Sequence, residues 1–91
     1  MTYLTEEKPQ CWRAVAIFED RSECLVFLGR SYSQVRAGLA QAFFEIFEDE
    51  QERAKIKSIS LQRWHGAPDA GQWQHQSNLA IPTKAKLAKS A

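Results

Sequence analysis

SYSQVRAGLAQAFFEIF, residues 31–47, is the stretch whose reading decides the fold. At about 100° per residue, Val35, Leu39, Ala42, Phe43 and Ile46 fall into one apolar helical stripe. Ser31, followed by Gln34, is a capping-box pattern: the hydroxyl accepts from an orphan amide and the glutamine reaches back. On the same wheel Phe44 lies about 180° from Val35, and Phe47 about 120° away. A single sheet cannot receive Phe43, Phe44 and Phe47 together, so Phe44 and Phe47 are surplus to the core stripe. EDEQER (48–53) then places acids where the helix dipole prefers a cation. Either the helix runs on to Ala54 with pairs such as Asp49–Arg53, or it ends near Phe47 and Asp49 and Glu52 cap a new turn. We read the break.

The flanking segments read as strands. CWRAVAIF (11–18) and CLVFL (24–28), joined by the polar EDRSE (19–23), form a hairpin by their β-branched and aromatic content. In the first, Trp12, Ala14, Ala16 and Phe18 share a face, and Cys11, Arg13, Val15 and Ile17 the other. In the second, Leu25 and Phe27 oppose Cys24, Val26 and Leu28. Both faces are mostly apolar, whereas an antiparallel sheet covered on one side ordinarily has a polar second face.

KSISLQRW (57–64) alternates, with Ile59 and Leu61 inward and Ser58, Ser60, Gln62 and Trp64 outward. GAPDAG (66–71) is a turn by composition, with Gly71 expected at positive φ. Beyond it Trp73, His75, Ser77, Leu79 and Ile81 share one face and Gln72, Gln74, Gln76 and Asn78 the other, until Pro82 ends the strand. The fold class is therefore α+β, in the order β-β-α-β-β: a four-stranded antiparallel sheet with one main helix packed on one face. Ile59, Leu61, Leu79 and Ile81 should meet Val35, Leu39, Phe43 and Ile46. Residues 1–10 read as a loose N-terminal arm, 11–82 as a single α+β domain and 83–91 as a short basic C-terminal tail.

Ninety-one residues support one core and not two. Twelve Lys and Arg against eleven Asp and Glu leave a formal charge of +1, no global reason to expect nucleic acid or an anionic membrane as partner. No apolar run reaches the roughly 20 residues of a membrane helix, and no signal-peptide series is present. The expected compartment is the cytoplasm, where two cysteines make no disulfide framework.

The chemistry-bearing residues do not assemble into a known pattern. His65, His75, Cys11 and Cys24 are zinc-ligand types without a local Cys-x-x-Cys or spaced His pair. Both cysteines fall in apolar strands, where burial quiets a thiol. The serines sit in caps and outward strand positions, and the carboxylate runs face solvent. No glycine-rich phosphate loop occurs. The reading is a non-enzyme without catalytic residues, metal or cofactor.

Surplus apolar surface is the feature left over. An exposed apolar patch marks an interface, and aromatics anchor interfaces. Trp12, Phe44, Phe47, Trp64 and Trp73 are the expected anchors for a protein partner or a homodimer centred on Phe44, unless the arm with Tyr3 and Leu4 covers the extra face. The alternative is a single-stranded nucleic-acid-binding module in which Trp64 and Trp73 stack bases beside Arg63, Lys84, Lys86 and Lys89.

Overall fold

Short apolar segments on either side of one amphipathic helix can hide that helix's stripe only by pairing into a sheet beneath it. In the computed structural model, which describes residues 11–83, β1 (Trp12–Phe18), β2 (Glu23–Gly29), β3 (Ile56–His65) and β4 (Gln72–Leu79) form a four-stranded antiparallel sheet ordered β2-β1-β3-β4. Between β2 and β3 the chain forms α1 (Tyr32–Ile46) and the short α2 (Glu50–Ala54). The α+β architecture is the one expected. The arm 1–10 and the tail lysines Lys84, Lys86 and Lys89 lie outside the described residues.

α1 starts as the capping pattern indicates. Ser31 Oγ accepts from the Gln34 amide at 3.1 Å, and Gln34 Oε1 accepts from the Arg30 amide at 2.6 Å. The helix lies chiefly over β2 and β1. Val35, Leu39, Phe43 and Phe47 are buried against Ala14, Ala16, Val26, Ile56, Ile59 and Leu61. Positions 35, 39, 43 and 47 are a single i, i+4 ridge, about 40° round the wheel from the expected stripe. Two expectations change with it. Ile46 is 43% exposed, and Phe47 is only 3% exposed. Phe47 is the C-cap, with φ −108° and ψ 79°, so the chain has left helical geometry there and the wheel no longer gives its direction.

The break near Asp49 is present, and it resolves the mismatch of acids with the helix dipole. Asp49 caps α2 by accepting from the Gln51 amide at 2.9 Å. α2 then carries Arg53 back to the end of α1, where Nη1 donates to the carbonyls of Phe47 at 2.6 Å and Glu48 at 3.0 Å. The cation absent from the last turn of α1 is thus supplied from the next helix.

Bulges break the simple alternation in three strands; in β3, Ile17 pairs with Ser58 and Phe18 with Ile56, so Lys57 is extra. In β2, Ala14 pairs with Phe27 and Val15 with Leu25, so Val26 is the extra residue and Phe27 and Leu25 face opposite sides. Phe27 turns under α1, whose Gly38 makes room: a Cβ there would lie 2.5 Å from Phe27 Cζ. In β4, Leu61 pairs with Ser77 and Gln62 with His75, so Gln76 is extra. Trp73 and His75 therefore face away from Ser77 and Leu79, contrary to the uniform face expected. β4 also ends at Leu79, and Ile81 is 38% exposed. In the 66–71 turn Gly66, at φ 111°, takes the positive φ expected of Gly71. Gly71 is required for a different reason: a Cβ there would collide with the His65 carbonyl.

Leu39→Ala removes a buried ridge residue and should cost about 2–5 kcal/mol, read as a lowered urea midpoint at unchanged slope. Gly38→Ala gives a test of sign. On an open helix face the change stabilises by about 1 kcal/mol, but here the Phe27 ring occupies the space and stability should fall. A raised midpoint for Gly38→Ala would place Phe27 elsewhere.

Candidate functional site

Sheet register determines which side chains share the face turned away from α1. Across β1 and β2 the pairs on that face are Arg13–Leu28, Val15–Leu25 and Ile17–Glu23. Across β1 and β3 they are Arg13–Gln62, Val15–Ser60 and Ile17–Ser58. Across β3 and β4 they are Ser60–Asn78, Gln62–His75 and Trp64–Trp73. Both described helices pack on the other side, where the core lies. The β2–β1 half of this face is apolar, and Leu25 at its centre is 49% exposed. The β3–β4 half is polar and aromatic.

A connected set of side chains crosses from one half to the other. Arg13 Nε donates to Gln62 Oε1 at 2.7 Å, and Gln62 Nε2 donates to Ser60 Oγ at 3.3 Å. Ser60 Oγ and His75 Nδ1 form a hydrogen bond of 2.6 Å. The Arg13 guanidinium lies 4.3 Å from the centroid of the Trp73 ring, within cation–π range. Trp73 meets Trp64 edge to face at 5.4 Å, and Trp64 Nε1 donates to the Ala67 carbonyl at 3.0 Å, tying the pair to the turn. Burial lowers the pKa of Arg13, and the negative charge of Glu23 opposes that shift. The guanidinium remains a cation at neutral pH.

The expected anchors separate. Trp64 and Trp73 come together on the helix-free face. Trp12 is on the other face, half-buried, its ring 6.1 Å from Tyr32 and capped by the Arg63 guanidinium at 5.2 Å. Arg63 is thereby removed from the two tryptophans it was expected to serve, because adjacent strand residues point to opposite faces. Phe47 is core and is no surface anchor. Phe44 is half-buried, edge-on to Phe43 at 5.2 Å, and the Arg53 guanidinium stands 5.2 Å from its ring centroid. α2 thus covers part of the ring that a homodimer was expected to cover.

Sequence reading passed over Arg13, Gln62 and Leu25 as site residues, and weighed His75 only as a zinc ligand. Arg13 had a visible signal, a lone cation between apolar neighbours on a strand face. The pairing of His75 with Ser60 had none, since it depends on the Gln76 bulge.

Other features carry less. A groove of about 680 Å³ runs between α1, at Tyr32, Arg36 and Ala40, and the segment from Asn78 to Pro82, with a mixed polar and apolar lining. Cys11 and Cys24 are free thiols. Among the described residues no three His, Cys, Asp or Glu side chains gather to hold a metal, and no helix is long and apolar enough to cross a membrane. No protein-family model matches the chain, and no curated protein and no solved structure matches it either.

Proposed function

We propose that this chain is a small non-enzymatic binding module of the cytoplasm, and that it docks a partner protein on the helix-free face of its sheet. One observation carries the reading: Leu25, Leu28, Val15 and Ile17 share that face with Trp64, Trp73 and Arg13, and no described helix lies over it. Leu25 is 49% exposed there and Leu28 and Ile17 partly so, while Val15 beneath them is buried; apolar area of this kind beside Trp and Arg is the composition of an interface hot spot. A non-enzymatic role is supported by the one Ser–His contact among the described residues: Ser60 is 1% exposed, so its hydroxyl is out of reach of a substrate although His75 bonds to it.

The nucleic-acid reading draws less support. One face of Trp73 is already occupied by Arg13, and Trp64 is packed against Trp73, which leaves less ring for stacking bases. Arg63 belongs to the opposite face.

Leu25→Glu places a charge in the middle of the apolar half without touching the core. The variant should keep the far-UV circular dichroism of the parent and lose the partner that the immobilised parent captures from a lysate of the source cells. Capture by the parent should change little between low and high salt, since apolar burial releases no counterions. Retention of the same partner by Leu25→Glu would move the interface off this face. Binding to oligonucleotides that collapses with added salt would favour nucleic acid instead.

A further inference from the structure

Arg13 is held in place more firmly than a surface cation needs to be. Its Nε is engaged by Gln62 at 2.7 Å, and its plane lies against Trp73 at 4.3 Å. Those contacts fix the guanidinium but use only one of its donors. The two terminal nitrogens make no hydrogen bond to a described residue, and no described carboxylate lies within ion-pair distance. Glu23 acts on it only through space. Arg13 is nonetheless half-buried, its strand position lying between Leu28 on β2 and Gln62 on β3 and its guanidinium against Trp73. A planar fork with free donors, pinned at its base, is pre-organised for bidentate pairing with a planar carboxylate.

We infer that the partner presents an Asp or Glu carboxylate, flanked by apolar side chains, to the free nitrogens of Arg13. The inference rests on the helix-free face being the docking surface and specifies what docks there. Charge arithmetic selects a single carboxylate over a polyphosphate chain. By register, Arg13 is the one Lys or Arg on this face among the described β1 and β2 pairs and their β3 and β4 continuations, and Glu23 lies on the same face. A nucleic acid needs several phosphates neutralised, whereas one carboxylate matches one guanidinium. Leu25, with the partly exposed Leu28 and Ile17, supplies contact for the side chains beside that carboxylate.

Phenylacetate is a direct probe, combining a carboxylate with an apolar ring, and phenylacetamide is its neutral counterpart. The full chain labelled with ¹⁵N is titrated with each, following the Arg13 Nε–H and the Trp73 indole N–H. Phenylacetate should shift both signals in a saturable manner and phenylacetamide should not. Arg13→Gln should weaken phenylacetate binding about tenfold or more, the loss expected for a charged hydrogen bond. Equal shifts with both probes, no shift of Arg13 with phenylacetate, or tighter binding of inorganic phosphate would each overturn the inference. A chain that dimerises by light scattering in a manner abolished by Leu25→Glu, and indifferent to phenylacetate, identifies a second copy as the occupant and overturns it too. Loss of the captured partner on Leu25→Glu together with a silent phenylacetate titration would leave the face an interface and remove only its carboxylate chemistry.

Discussion

Contact between the α1 ridge and the two alanines in the middle of β1 is the constraint on which the other features depend. Ala14 and Ala16 are fully buried and small, so Val35, Leu39 and Phe43 descend onto β1 while Ile59 and Leu61 close the core from β3. Close approach of this kind gains dispersion contacts as well as removing apolar area from water. It also locates the helix over the β2–β1 half of the sheet, and Gly38 above Phe27 is the concession that lets it lie there. One helix among the described residues, α1, is long enough to cover a sheet face. Among the described residues no helix covers the second face, where Leu25 stays about half exposed and Leu28 and Ile17 partly so, with Val15 buried between them.

The end of α1 shows how local conflict is settled by a neighbouring element. Four acids, Glu48, Asp49, Glu50 and Glu52, follow Phe47 closely, a poor match to the negative end of a helix dipole. Breaking the helix turns three of them to use: Asp49 caps α2, and Glu50 and Glu52 occupy its first turn, where negative charge is favoured. The same break returns Arg53 to the orphan carbonyls of α1 and lays its guanidinium by Phe44. One side chain thus satisfies backbone acceptors, compensates the dipole and covers a ring that the core cannot take.

On the helix-free face a chain of polar contacts runs from Arg13 through Gln62 and Ser60 to His75. No buried side-chain polar atom among the described residues lacks a hydrogen bond, so this network does not carry the penalty of unpaired groups. Satisfied networks hold their members in one geometry, and here the member held is a cation against a tryptophan. The rigid orientation of Arg13 and Trp73 is what separates this surface from a merely greasy one.

Local periodicity determined the element types. The i, i+4 pattern after Ser31, the alternation in residues 57–64 and the turn composition at 66–71 specify a helix, a half-buried strand and a reversal without reference to anything distant. They also carried the capping of α1 and the break before α2, because caps are set by the residues next to them. Which residues share a surface was another matter. One extra residue in a strand sends every later side chain to the opposite face, and nothing in the local pattern around Val26 or Gln76 announces a bulge. The bulge in β4 is what sets Trp73 and His75 beside Trp64 and Gln62. Likewise the direction of Phe47 depends on where helical geometry stops, and the wheel holds only up to that point. The sequence by itself determined the strands, the helix and their caps, since these follow from neighbours along the chain. The tertiary structure alone decided that Arg63 stands over Trp12 and that Arg13 stands over Trp73, because strand register and bulges choose the face on which each cation meets its ring.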